Sequence, residues 1–249
     1  MSVHDAFGRG GRKPRDATLG GDHPCRACEV RNICVCAVLE ADELLRLNAI
    51  STTKNFQPNQ PIFYAGDESV HVSNVVQGTV RLYNLLPDGR RQITGFLFAG
   101  DFLGMAANQE YAYSAEALTS LKLCRFPRRK LEALLDVLPS LERRLLGAAT
   151  NELIAAQDQM LLLGRKTARE KVASFLLRLS RRAAERGESA DPVYLPMSRA
   201  DIADYLGLTT ETVSRTITQL RKNGMITLLS SDRISIAEGT ALRDMAEGT

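Results

Sequence analysis

The sequence predicts an α+β fold: an N-terminal antiparallel β-roll, one long helix, and a C-terminal unit of short helices closed by a hairpin. Three observations carry this. Between Ser51 and Phe126, short apolar runs such as Val80 to Tyr83 and Ile93 to Phe98 alternate with the turn pairs Gly66-Asp67, Asp88-Gly89 and Gly100-Asp101 and with Gly78. Strands spaced this closely leave no room for the helices that a parallel sheet needs between them. After Pro139 the pattern turns helical, with Leu146, Ala149, Leu153, Ala156, Met160 and Leu163 spaced 3-4-3-4-3, a heptad-like seam that runs to about Gly164. Beyond Leu195, two short helical stretches precede the strand-like runs Ile226–Leu229 and Arg233–Ile236, joined by Ser230, Ser231 and Asp232.

A chain of 249 residues and 27.4 kDa exceeds what one hydrophobic core usually holds, so two domains, or one with a sizeable appendage, are expected. Residues 1–22 read as a flexible arm, with Gly8, Gly10, Gly11, Gly20 and Gly21 set among charges. That arm lacks the apolar stretch of an export signal, and no run approaches the ~20 apolar residues that span a bilayer. A cytosolic protein without a membrane partner is expected. The excess of 32 Lys and Arg over 29 Asp and Glu is too small to argue for nucleic acid by itself. The remaining units are read as 23–138 for the cysteine segment and roll, 139–164 for the long helix, and 165–249 for the C-terminal domain.

Five cysteines in a cytosolic chain are a poor disulfide framework, because thiols there stay reduced. Cys25, Cys28, Cys34 and Cys36 sit just ahead of the roll, and Cys124 stands on its last strand. A CxxC in a polar, Gly-flanked arm has no core to join, so Cys25, Cys28 and Cys34 read as metal ligands; a small buried side chain is the favoured reading of Cys36 and the alternative reading of Cys124. Zn²⁺ and an iron–sulfur cluster both accept four sulfur ligands and both fit chemically, in a three-plus-one arrangement.

On the long helix a second stripe, Ile154 and Leu161, lies beside the seam and is interrupted by Asn151, Gln157 and Asp158. Apolar residues over so much of the circumference predict packing both on the chain's own roll and on a second copy, with Ile154, Gln157, Asp158, Met160 and Leu161 at that interface. Next, Ala168, Val172, Phe175, Leu176 and Leu179 mark another amphipathic helix, and Gly187–Tyr194 reads as a linker.

The stretch Met197–Met225 has helix-turn-helix grammar. Ser198 caps a helix that turns Ile202, Ala203 and Leu206 inward, Gly207 supplies the turn, and Thr209 caps a second helix that buries Val213, Ile217 and Leu220. The early outward positions of the second helix are Thr210, Glu211, Ser214 and Arg215. Arg matches guanine O6 and N7, and Glu matches the cytosine amino group. Ser198, Arg199, Thr212, Arg221 and Lys222 are candidate phosphate contacts, which position without specifying. The scattered His4, His23 and His71 form no triad, and no phosphate loop or paired-carboxylate site occurs, so catalysis is not expected.

Together the roll, long helix and winged helix-turn-helix resemble the CRP/FNR superfamily of bacterial transcription regulators over Cys25 to Ile236, and most closely its FNR branch. The resemblance implies a cyclic-nucleotide-binding-like roll, a dimerisation helix, and a homodimer on double-stranded palindromic DNA. Its C-x₂-C-x₅-C segment falls on Cys25, Cys28 and Cys34, with Cys36 extra as an alternative to Cys34 for the third ligand. Its distal ligand falls on Cys124, which implies a [4Fe–4S] cluster and a response to oxygen. The E-x-x-S-R triplet falls on Glu211, Ser214 and Arg215, implying a TTGAT-type half-site. The loop Leu86 to Arg90 resembles the face such proteins turn to RNA polymerase. Gln157 falls where relatives can carry an acid that opposes association. Where the nucleotide-binding branch has an Arg that grips the phosphate, this sequence reads Tyr113-Ser114-Ala115, so no cyclic nucleotide is expected. Two rivals are a redox-insensitive regulator with structural Zn²⁺, and a metal-binding sensor that acts by protein contact.

Overall fold

The structure is a computed structural model and describes residues 25–105 and 109–248. The arm expected at 1–22 lies outside the described residues. A 3-10 turn at Val35–Val38 follows the first cysteines and leads into α1 (Ala41–Ala49). The roll is built from β1 (Thr52–Phe56), β2 (Pro61–Phe63), β3 (His71–Gln77), β4 (Val80–Leu85), β5 (Arg91–Leu97), β6 (Phe102–Leu103), β7 (Ser114–Ala117) and β8 (Leu121–Pro127). They pair antiparallel as two four-stranded sheets, β1-β8-β3-β6 and β2-β7-β4-β5. Alternate residues Phe56, Val75, Val80, Leu82, Leu121 and Leu123 turn inward to form the core between them.

Two short helices frame the roll that periodicity did not single out, α1 and α2 (Arg128–Leu135). Val35, Leu39, Leu44, Leu47 and Leu131 bury a second core with Phe126 and with Leu141 of the long helix α3 (Pro139–Arg165). Pro139 opens α3 at a position where its missing N–H costs nothing. Among the described residues, the fully buried positions of α3 lie towards its two ends. Leu141 is buried at one end and Gln159 and Leu162 at the other, while residues 149–158 are exposed throughout. The expectation that α3 packs on its own roll holds at its N-terminal end, where Leu141 shares a core with Val72 and Phe126.

The C-terminal unit begins with α4 (Ala168–Glu185), capped by Thr167 and Glu170 in a reciprocal box. The expected linker ends in β9 (Val193–Tyr194), which pairs with β11 (Arg233–Ile236), and β11 in turn pairs with β10 (Ile226–Leu228). The wing is thus three-stranded. Around it lie α5 (Arg199–Leu206), α6 (Thr210–Lys222) and a closing helix α7 (Gly239–Glu247) that pattern reading did not find. This unit is not a separate bead. Tyr83, Ile93, Phe96 and Phe98 of the roll share one core with Phe175, Leu176, Tyr205 and Leu206. Phe96, Phe175 and Tyr205 form an aromatic trio with ring centroids 5.4–6.3 Å apart, the spacing at which tilted rings attract.

Candidate nucleic-acid interface and thiol cluster

Local chemistry fixes the helix-turn-helix. The Ser198 hydroxyl accepts from the Asp201 N–H at 3.1 Å, and the Asp201 carboxylate accepts from the Ser198 N–H at 3.0 Å, a reciprocal cap for α5. That helix stops at Gly207, whose φ of 62° is the left-handed conformation that Gly adopts without penalty. Thr209 then caps α6 by accepting from the Thr212 N–H at 3.1 Å. Val213, Ile217 and Leu220 face the core as the sequence predicts, joined by Thr216.

The opposite face of α6 stands in solvent. Thr210, Glu211, Ser214, Arg215, Arg221 and Lys222 are all exposed, and Arg215 pairs with Glu211 at 2.6 Å. With side-chain exposures of 79% and 69% this pair is weakly held, so both groups can exchange it for base edges. Two of the expected phosphate contacts are less free. Thr212 is half-buried and shares a hydrogen bond with the Thr209 hydroxyl, while the exposed Ser198 hydroxyl donates to Asp201 at 2.7 Å. Arg199 is half-buried, and burial lowers its pKa from the usual guanidinium value.

On α3, Ile154, Gln157, Asp158, Met160 and Leu161 are exposed, and so are Leu146 and Leu153 of the seam. Leu163 departs from that seam. It is half-buried, and its Cδ2 lies 3.4 Å from where a Cβ at Gly207 would be, so it serves the helix-turn-helix rather than a second copy. Pattern reading missed Gln159. It is buried, and its Nε2 donates to the Tyr205 carbonyl at 2.8 Å. A polar residue on the apolar side of a helix was its available signal.

The N-terminal thiols lie within electrostatic reach of Cys124 on β8. Register places Cys124 opposite Thr53 of β1 and Asn74 of β3. The Cys25 thiol lies 3.7 Å from Asn48 Oδ1, and the Cys36 sulfur accepts from Asn74 Nδ2 at 3.7 Å. The Cys34 sulfur accepts from the Cys36 N–H at 3.4 Å. Hydrogen bonding from Cys36, assisted by the charge of Arg144, outweighs burial and lowers the pKa of Cys34. A side-chain hydrogen bond with Cys34, with burial, pushes Cys36 up. Burial raises Cys124 to about 11 despite a hydrogen bond with Ser51, and the charges of Cys25, Cys28 and Cys34 add to the rise. Cys25 and Cys28 are raised mainly by burial, and each also feels Cys34. Cys25, Cys28, Cys34 and Cys124 thus lie near enough to feel one another's charge, although no three metal-binding side chains among the described residues stand in ligating geometry. As a donor set, four thiols suit a soft metal or an iron–sulfur group.

The side chains around Tyr113 and Ser114 are engaged by other groups of the chain. Burial and the negative charge of Glu152 push the phenol of Tyr113 up, against a backbone hydrogen bond at Gly104. Phe63 stacks on Tyr111 with centroids 3.6 Å apart and meets Tyr113 at 6.0 Å. The Ser114 hydroxyl is committed to the Ala65 N–H at 3.0 Å.

Comparison with known proteins agrees with this architecture. The family described as a cyclic nucleotide-binding domain matches residues 53–137, and the Crp-like helix-turn-helix domain matches residues 170–245. The chain is 44% identical over 207 residues to the nitrogen fixation regulation protein FixK of Bradyrhizobium diazoefficiens, covering 83% of this chain and 87% of that one. It is 40% identical over 228 residues to the transcriptional activator protein FnrL of Cereibacter sphaeroides, covering 90% and 92%. The fumarate and nitrate reduction regulatory protein of Escherichia coli is 36% identical over 228 residues, covering 90% and 91%. The solved structure of FixK2 from Bradyrhizobium japonicum superposes with a TM-score of 0.74 at 38% identity, covering 79% of this chain and 97% of that one. With a β-roll, a long helix and an exposed recognition helix all in place, this chain belongs to the CRP/FNR family and is a DNA-binding transcription regulator, not an enzyme.

Proposed function

We propose that the chain is an oxygen-responsive regulator in which Cys25, Cys28, Cys34 and Cys124 hold a [4Fe–4S] cluster and a homodimer binds a palindromic TTGAT-type site. The observation that carries this is the nearness of those four thiols, which feel one another's charge, with the N-terminal ones in a segment tied directly to α3. Arg144 of α3 donates to the Ile33 carbonyl at 3.0 Å, one residue before Cys34. Leu145 packs on the core that holds Val35. A bound cluster would supply oxygen-labile iron–sulfur chemistry. Through the Arg144 and Leu145 contacts, the position of the cysteine segment acts on α3, whose Ile154, Met160 and Leu161 gain from association.

A dimer presents two α6 helices about one DNA turn apart, ~34–36 Å, so affinity for a palindrome follows association. Glu211, Ser214 and Arg215 read bases, and Arg221 and Lys222 hold phosphates. The loop Leu86 to Arg90 offers exposed Leu86 to RNA polymerase. The stretch Tyr113-Ser114-Ala115 offers no cation to a nucleotide phosphate, so no nucleotide enters the scheme. Among the described residues no helix is long and apolar enough to cross a membrane, which suits action in the cytosol.

The test is an absorption spectrum with iron and sulfide analysis on anaerobically purified protein, repeated after air is admitted. A brown protein with about four irons per chain that bleaches in air supports the proposal. A colourless protein that retains zinc overturns the oxygen response and leaves the DNA-binding assignment in place.

A further inference from the structure

The reading head is fastened to the roll by a polar attachment that neither the motif nor the thiols require. Asp201 of α5 is 3% exposed. Besides capping its own helix, it accepts from Arg81 Nη1 at 3.0 Å and from Arg91 Nη2 at 2.8 Å, both on the roll. Arg91 Nε also donates to Asp204 Oδ2 at 2.9 Å, and Gln92 Nε2 donates to the Asp204 carbonyl at 2.7 Å. From α3, Gln159 reaches the next carbonyl, that of Tyr205, at 2.8 Å. One short helix, α5, is therefore held from two sides by groups of fixed geometry, and α5 carries the turn from which α6 projects.

We propose that Arg81, Arg91 and Gln159 are positioning residues that set the angle of the recognition helix relative to α3, and so the distance between the two recognition helices of a dimer. The inference rests on the palindrome reading above. Buried charge pairs are poor sources of net stability but are strict about geometry, and a bidentate guanidinium is strict in two directions at once. None of these side chains lies on the exposed face of α6. The attachment thus acts by preorganising the dimer, sparing DNA the cost of ordering two loose heads.

The test compares the parent chain with Arg91→Ala, Arg91→Lys and Gln159→Ala on a TTGAT-type palindrome, on palindromes with one base pair inserted or removed at the centre, and on a single half-site. The expected result is a loss of about fivefold or more on the palindrome for Arg91→Ala, the low end of typical coupling between sites. Spacing preference flattens and half-site affinity stays unchanged. Arg91→Lys restores part of the preference, and Gln159→Ala repeats the loss from the other side, so a misfolded Arg91→Ala does not decide the matter. A parent that discriminates spacing and variants that discriminate equally well overturn the attachment alone, and so does an equal loss on half-site and palindrome. A parent that binds palindrome and half-site alike overturns the palindrome reading and the attachment with it.

Discussion

Truncating Leu153 to Ala probes the association face with least damage to the single chain. Leu153 leaves 59% of its surface exposed. Burying a Leu completely is worth about 1.5–3 kcal/mol, so covering the remaining exposed part is worth roughly 0.9–1.8 kcal/mol. Ala forfeits about two-thirds of that, and in a two-fold interface the loss counts once per protomer. Association should weaken by about 1.2–2.4 kcal/mol, or roughly 8- to 60-fold in the dimer dissociation constant. Sedimentation equilibrium on anaerobic protein reads this directly. Because Leu153 touches little of its own chain, thermal unfolding of the dilute monomer should move by no more than about 0.5 kcal/mol. An unchanged dimer dissociation constant would refute the assignment of this face, and so would a loss matched by an equal loss of monomer stability.

Arg215→Ala should cost about 1–3 kcal/mol at the guanine it reads and relax preference at that base pair, measured by competition between sites differing there. Cys124→Ser should abolish cluster retention while the roll still folds, seen as loss of the visible spectrum with unchanged far-ultraviolet circular dichroism. Gly100 has a φ of +95°, and a Cβ there would come within 2.9 Å of the Ile33 side chain. Gly100→Ala should therefore destabilise by about 1–3 kcal/mol and displace the cysteine segment, read by thermal unfolding and by iron content. Burial pushes the Asp201 carboxyl up, but hydrogen bonds from Ser198 and the charges of Arg81 and Arg91 outweigh this and hold it below its ordinary 3.8. Its contribution is present above the unfolded value and is lost as pH falls through the depressed folded value. Asp201→Asn should thus flatten stability against pH below about 4, in acid titrations followed by circular dichroism.

The helix-turn-helix was legible because its determinants are local: Ser198, Gly207 and Thr209 act within four residues of themselves. The roll was legible for the same reason, through turn residues and alternating apolar positions. Long-range partnerships left no such trace. Arg91 and Asp204 are 113 residues apart, and nothing in either neighbourhood marks them as a pair. Leu163 fits the heptad spacing, yet the chain turns it to Gly207. Two-residue β9 is too short to show alternation, and its pairing is supplied by β11. The nearness of Cys124 to the N-terminal cysteines depends on the register of β8 against β1 and β3, which composition cannot fix.

The most direct test of the central claim is the affinity of anaerobically purified protein for a TTGAT-type palindrome, followed in the same sample as air is admitted and the visible spectrum is recorded. Tight binding that decays in step with bleaching is the predicted result. Binding that persists unchanged in air, with or without bleaching, would contradict the claim that the thiol cluster governs DNA recognition.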